Sequence, residues 1–354
     1  MRRFGCLFVF ALSCAWPAPP HAEYAARRAE LRKSLTGGVT VLVGRTENDG
    51  DDLRTGFFQE PNFYYLTGWA EPGAALILTP ERETFFIPRR NPEVEKWTGR
   101  KLAADDPEAA VSTGFQTVRP VETLESEIRS VLEQYLKLYT LLKRPSADAL
   151  RQIAPLREIA DAGPAVAKLR MTKSPAEVSR IESATETSIA AHRAAWARIA
   201  PGVYEYQIAA VMTSVYFDRG CERSAYAPIV GSGPNAVVLH YSRNRRRMDA
   251  GELVLMDVAA ECGGYASDIT RTVPVNGKFN KRQREIYEIV LGAQKAAIAA
   301  IKPGMTLART GPNSLYRIAY DYINTHGKDK RGEPLGKYFT HGLGHHVGLE
   351  VHDA

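Results

Sequence analysis

Short apolar runs closed by glycine, proline or charge fill the first part of the chain, and longer Ala-rich amphipathic stretches fill the rest. Val39-Thr-Val-Leu-Val43, set between Gly37-Gly38 and Gly44-Arg45, predicts a buried strand. Phe63-Tyr-Tyr-Leu66, Ala75-Leu-Ile-Leu78 and Thr84-Phe-Phe-Ile87 predict three more, separated by glycine and proline. A charged, Ala/Leu-rich helix is expected at 24–35, a polar turn over Asn48 to Asp52, and helices at 122–136 and 146–160. Asp161-Ala-Gly-Pro164 then reads as a boundary. Beyond it, Ser174-Pro175-Ala176-Glu177 is a strong helix start, because hydroxyl and carboxylate each satisfy an amide that the first turn leaves unpaired. That amphipathic pattern runs to Ile199 and breaks at Pro201-Gly202; a second helix is expected at 205–219. Strands over Leu253–Asp257 and Tyr265–Val275 and helices at 281–302 and 312–325 complete the reading. The order predicts an α/β (α+β) protein of two domains, the second with an antiparallel hairpin at its centre. No low-complexity tract or short-period repeat interrupts it.

A length of 354 residues also exceeds what one core usually supports, and 44% hydrophobic with 24% charged residues is ordinary for a globular protein. The net charge of +6 includes the run Arg243, Arg245, Arg246, Arg247. Only Tyr241 offers an aromatic platform beside it, so a solvated loop is favoured over nucleic-acid binding. Arg2-Arg3, the apolar Phe4 to Leu12 and a Pro/Ala stretch to Ala22 have the anatomy of a signal peptide. The apolar run is too short for a permanent membrane span. Export to the periplasm or medium is therefore expected, with a lipid anchor at Cys14, in Ala11-Leu12-Ser13-Cys14, as the less favoured alternative. The expected organisation is a leader over 1–22, one domain over 23–163 and another over 164–354. Cys6 and Cys14 fall in the leader, and the remaining pair, Cys221 and Cys262, is expected as two unpaired, half-buried thiols, with a single bridge between them as the alternative.

Four of the eight histidines, His341, His345, His346 and His352, crowd into the last fourteen residues. Upstream, Asp257 ends an apolar strand, and Asp268 follows a turn that Gly263-Gly264 can make. Two carboxylates on adjacent strands repel unless a cation lies between them. With His345 they offer two hard oxygens and an imidazole nitrogen, a set suited to Mn²⁺, Co²⁺ or Zn²⁺ more than Ca²⁺. His240, ending Asn235-Ala-Val-Val-Leu-His240, either faces the same cavity or is a satisfied core histidine. His346 cannot readily aim at the same ion as its neighbour, and His192 and His326 are expected at the surface.

The sequence resembles the creatinase/aminopeptidase P/prolidase family of pita-bread metallopeptidases. The resemblance is carried by Ile229-Val-Gly-Ser-Gly-Pro-Asn235 with Leu239-His-Tyr241, Leu255-Met-Asp257, Gly264-Tyr-Ala-Ser-Asp-Ile-Thr-Arg-Thr272, and His341-Gly-Leu-Gly-His345 with Val351-His-Asp353. Gln59-Glu-Pro-Asn-Phe-Tyr-Tyr-Leu-Thr-Gly68 and Trp97-Thr-Gly-Arg-Lys101 are similar to the family's N-terminal domain. The resemblance implies a pita-bread domain preceded by a creatinase-like α/β domain. It implies Asp257, Asp268 and His345 as metal ligands, with Asp268 bridging two divalent ions, Mn²⁺ first among them. It implies that His240 and His352 contact substrate and steady the tetrahedral intermediate, and that His341 lines the pocket for a proline ring. The activity implied is removal of the N-terminal residue preceding proline from peptides. An Xaa-Pro dipeptidase and a non-catalytic peptide-binding relic are the alternatives, and a homo-oligomer is left open. Family members complete the site with two glutamates after the histidine motif, whereas this chain ends at Ala354 and Glu350 is no equivalent. The dinuclear site as given is thus expected to be incomplete and the pita-bread domain partial, the sequence being part of a longer protein.

Overall fold

The computed structural model describes residues 19–47, 49 and 56–354. The expected leader lies outside them except for its last four residues, as do Cys14 and most of the Asn48–Asp52 turn. Two compact units meet in the chain at Ser179 and Arg180.

The first unit is built on α1 (His21–Ser34), β1 (Gly38–Val43), α2 (Pro61–Thr67), β2 (Ala75–Leu78) and β3 (Glu83–Ile87). It continues with α3 (Pro92–Thr98), α4 (Ala109–Thr113), β4 (Val118–Pro120), α5 (Leu124–Val131), β5 (Lys137–Thr140), α6 (Ser146–Ile153), β6 (Glu158–Asp161) and α7 (Gly163–Arg170). Its six strands form one sheet in the order β4-β3-β2-β1-β5-β6. The β1–β2 and β2–β3 pairs are antiparallel and the outer pairs parallel. Strand alternation sends Phe85 and Phe86 to opposite faces. Phe86 joins Val39, Val41, Ile77 and Ile128 in one core, while Phe85 stacks on Phe115 with ring centroids 4.4 Å apart. Buried Arg28 of α1 donates to Glu83 Oε2 at 2.5 Å and to the Leu66 carbonyl at 2.9 Å, so its charge is paired where water is excluded.

Three expectations change here. Phe63–Leu66 is helical, not a strand. Glu60 caps the Phe63 amide at 2.7 Å, Pro61 opens the first turn, and Gly68 closes the helix at φ 68°. The aromatic residues suggested a strand, but the cap chemistry decides. The helix expected at 122–136 ends at Val131, and the chain enters β5 at Lys137. The one expected at 146–160 ends at Ile153, because Pro155 disfavours helical backbone at Ala154, and β6 follows.

The second unit begins within α8 (Pro175–Arg198), where Ser174 and Glu177 make the expected reciprocal cap at 2.9 and 3.2 Å. Next come α9 (Glu205–Asp218), β7 (Arg223–Ser224), β8 (Ile229–Ser232), β9 (Leu253–Asp257), β10 (Ala260–Cys262), β11 (Tyr265–Ala266) and β12 (Thr270–Pro274). Helices α10 (Lys281–Ala299) and α11 (Leu315–His326) follow, packed through Ala293, Ala297 and Ala319. The strands make two antiparallel three-stranded sheets, β11-β10-β7 and β12-β9-β8. Gly263 and Gly264, at φ 59° and 78°, turn the hairpin between β10 and β11. Both arms of this hairpin change sheet, β9 into β10 on the way out and β11 into β12 on the return.

At that corner α8 supplies partners the strands do not. Ser188 Oγ accepts the Ala260 amide and His192 Nε2 lies 3.1 Å from the Val258 and Ile269 carbonyls. His192 is therefore a core residue, only 2% exposed, and not at the surface as expected. Burial pushes its imidazole below the ordinary range, which favours the neutral ring with Nε2 donating. Ala184, Ser188, Ala191 and Ala195 mark the same close-packed face of α8. Cys221 and Cys262 are also not free thiols: they form a disulfide, with Cα atoms 4.4 Å apart. The β7–β10 register of Arg223 opposite Glu261 brings the two together, and that pairing is invisible from residues 41 apart in sequence.

Candidate metal centre

Asp257 is the last residue of β9 and stands opposite Thr270 of β12; Asp268 lies just before β12 begins. Both sit at the corner where the hairpin arms leave their ladders, so their carboxylates turn toward a common space instead of alternating across one sheet. Tyr226, between β7 and β8, donates its hydroxyl to Asp257 Oδ1 at 2.6 Å and to Asp268 Oδ1 at 3.0 Å. One proton serves two carboxylates, which leaves their remaining lone pairs for other partners. Burial pushes the Asp257 carboxyl above the ordinary range, and the neighbouring Asp268 charge adds to the shift while donation from Tyr226 opposes it. Burial and the same two carboxylates push the Tyr226 phenol far upward, so it stays a donor. This is the electrostatic state of a carboxylate pair that a divalent cation relieves.

The histidine motif reaches the same place. His345 Nε2 lies 3.0 Å from Asp268 Oδ2, and its Nδ1 is 3.0 Å from the His346 carbonyl, which fixes the ring. Donation from the Ala266 amide to the Gly348 carbonyl docks the segment on β11 at 2.8 Å. The Asp353 amide then bonds the His346 carbonyl at 3.0 Å, folding the end of the segment back. That fold brings His352 edge-on to His345, with ring centroids 4.3 Å apart. One ligand atom each from Asp268, His345 and His352 falls within 4.8 Å of the others.

Of the residues expected at the site, the structure brings Asp257, Asp268, His345 and His352 together. His352 shares ligand-atom range with His345, a closer placement than the substrate contact expected of it. His346 contributes only its carbonyl. His240 and His341 are exposed and outside the cluster, with His341 Nδ1 directed at the Gly342 carbonyl. Tyr226 was not anticipated. A single tyrosine in Ala225-Tyr-Ala-Pro228 has no spacing that marks it, and only the β7–β10 register shows where it points. The mixed oxygen and nitrogen donor set, with two carboxylates already converging, fits a divalent ion of the Mn²⁺–Zn²⁺ kind.

Residues 179–354 match Metallopeptidase family M24, and residues 24–139 match Aminopeptidase P, N-terminal domain. The Xaa-Pro aminopeptidase of Haemophilus influenzae is 32% identical over 351 residues, covering 94% of this chain and 81% of the relative. The chain belongs to the aminopeptidase P family. The family's solved structures have the same two-domain α/β architecture with a pita-bread domain. Escherichia coli aminopeptidase P with the inhibitor Pro-Leu superposes with a TM-score of 0.82 at 27% identity, over 96% of this chain and 82% of that one. The zinc-substituted E. coli enzyme in complex with product does so with the same TM-score at 29% identity, again over 96% and 82%. Binding of a divalent metal is therefore a property of the family, and the chain is a metallo-aminopeptidase.

Proposed function

We propose that this chain is an Xaa-Pro aminopeptidase that uses Mn²⁺ held by Asp257, Asp268 and His345. The convergence of these side chains with His352 carries the reading, and the family gives it its reaction. The bridging role implied for Asp268 between two ions is part of the proposal. When bound, the metal activates water and polarises the scissile carbonyl. Tyr226 keeps both carboxylates aimed inward. His345, its Nδ1 tied to the backbone, presents Nε2 to the ion. His352 places an imidazole beside the ligands, where it donates to the carbonyl oxygen as negative charge develops. His240 contacts the peptide, and His341 lines the space for the proline ring. Export is proposed as well, supported by the leader-like residues 1–22 and by the Cys221–Cys262 disulfide, which persists in oxidising compartments.

The test is calorimetric titration with Mn²⁺, together with release of the first residue from Xaa-Pro-Yaa tripeptides. Asp268→Asn and His345→Ala should each weaken Mn²⁺ by at least about a hundredfold, since even outer partners of metal ligands cost roughly 10–100-fold. Undiminished Mn²⁺ affinity in Asp268→Asn refutes the site. Bound Mn²⁺ with cleavage of dipeptides alone makes the protein a dipeptidase.

A further inference from the structure

We propose that Glu205 is a positioning residue for His240, an assignment that rests on the substrate contact proposed for His240 above. Glu205 opens α9 and is fully buried, at 0% exposure. Its Oε1 accepts from the Ser232 amide at 2.7 Å, the Ser232 hydroxyl at 2.8 Å and Asn235 Nδ2 at 3.2 Å. Its Oε2 accepts from the Tyr241 hydroxyl at 2.8 Å and the Arg246 amide at 2.9 Å. Five donors, two from the end of β8 and three from the segment after it, thus end on one carboxylate, and they bracket His240 on both sides. The return strap is closed in the other direction too, by the Glu205 amide donating to the Arg246 carbonyl at 3.0 Å.

Burial cannot hold the segment between those ties. Val237 is 83% exposed and Leu239 61%, and His240 beside them is exposed. Two turn bonds, from the Val238 amide to the Asn235 carbonyl at 3.1 Å and from the Tyr241 amide to the Val238 carbonyl at 3.2 Å, shape it, and the side-chain ties lie at its ends. Asn244 makes a second tie, adopting φ 51° so that its side chain accepts the Val230 amide at 2.9 Å and donates to the Pro228 carbonyl at 2.8 Å. That tie registers the loop against β8, whereas Glu205 joins β8 to Tyr241, the residue next to His240, whose hydroxyl also accepts the Arg245 amide at 3.3 Å. The chemistry explains why a carboxylate is needed. All five partners are donors, and a glutamine would turn its NH₂ toward two or three of them. Burial opposes the charge on Glu205, yet donation from Arg246, Ser232 and Tyr241 keeps its carboxyl below the ordinary range.

The test is a double-mutant cycle of Glu205→Gln with His240→Ala, using two probes: Mn²⁺ alone, and Pro-Leu in saturating Mn²⁺. Glu205→Gln should weaken Pro-Leu by roughly tenfold, as loss of one charge-assisted contact does, while moving the Mn²⁺ affinity by less than about twofold. The double variant should bind Pro-Leu no more than about twofold more weakly than His240→Ala, because the two residues act as one unit. Hydrogen exchange should quicken over 233–246 and stay unchanged over 253–257. Full additivity, or a parallel loss of Mn²⁺ affinity, overturns the assignment in favour of a general structural role. Tyr241→Phe removes a single tie and carries the same cycle if Glu205→Gln does not fold. Pro-Leu binding unaltered in His240→Ala, or absent from the unsubstituted protein, refutes the contact proposed for His240 instead. Unchanged exchange over 233–246 in Glu205→Gln overturns the Glu205 assignment in either case.

Discussion

Breaking the Cys221–Cys262 disulfide should cost the second unit about 4 kcal/mol. The bridge closes a loop of 41 residues. In the chain-entropy treatment, closing such a loop removes about 2.1 + 1.5R ln 41 ≈ 13 cal/mol/K from the unfolded ensemble, or about 4 kcal/mol at 25 °C. Cys221 and Cys262 are 3% and 0% exposed, so the paired replacement Cys221→Ala/Cys262→Ala also loses sulfur packing, and the alkylated or reduced unfolded chain is the cleaner reference. At roughly 2–4 °C per kcal/mol for a unit of this size, the melting temperature should fall by about 8–16 °C. The assay is urea unfolding of the oxidised protein, the protein treated with a phosphine reductant, and the double variant, with intact mass confirming the redox state. An unchanged slope with a lower midpoint locates the effect in stability. Two thiols that label fully in unreduced, denatured protein refute the pairing. A difference below about 1 kcal/mol refutes the entropic argument while leaving the bond in place.

His192→Phe should destabilise the metal-free protein by about 1–3 kcal/mol, since the buried Val258 carbonyl loses its donor, while the Ile269 carbonyl keeps the Val258 amide at 3.3 Å. Urea midpoints measure it, and a loss within 0.5 kcal/mol would mean that water replaces the ring, roughly the range of surface substitutions. The stabilisation conferred by Mn²⁺ should grow as pH rises. Asp257 has its folded pKa raised, so its contribution to the metal-free fold is present at low pH and lost as pH climbs through that value. Mn²⁺ binds the ionised pair and removes the penalty, so the melting shift it produces should increase from pH 4.5 to 7, by fluorimetry. A shift independent of pH would exclude Asp257 from the site.

Much of this was legible in sequence, and the exceptions share a cause. The capping residues Ser174 and Glu177, the turn glycines Gly263-Gly264 and the buried run Val39–Val43 encode their conformations locally, so each was placed correctly. Asp257, Asp268 and His345 announced themselves by residue type, and the structure brings them together. What stayed hidden depends on register. Tyr226 and the disulfide both follow from how β7 lies against β10, a strand pair of only a few residues with no pattern of its own. His192 was misplaced for a related reason: an isolated histidine in a helix looks exposed until the carbonyls at the sheet corner are known to need a donor. Phe63–Leu66 erred the other way, where composition outweighed the flanking Glu60, Pro61 and Gly68 that define a helix.

The corner itself has a mechanical consequence. Because both hairpin arms pass from one sheet to the other at Asp257–Ala260 and Ala266–Thr270, a twist of either sheet pivots there. An ion gripped by Asp257 and Asp268 would act as a rivet through that pivot, and His345 would pin the terminal segment to the same point. Metal occupancy then becomes a stiffness setting for the whole second unit. Resistance of the second unit to proteolysis should then rise with added Mn²⁺ and fall with a chelator.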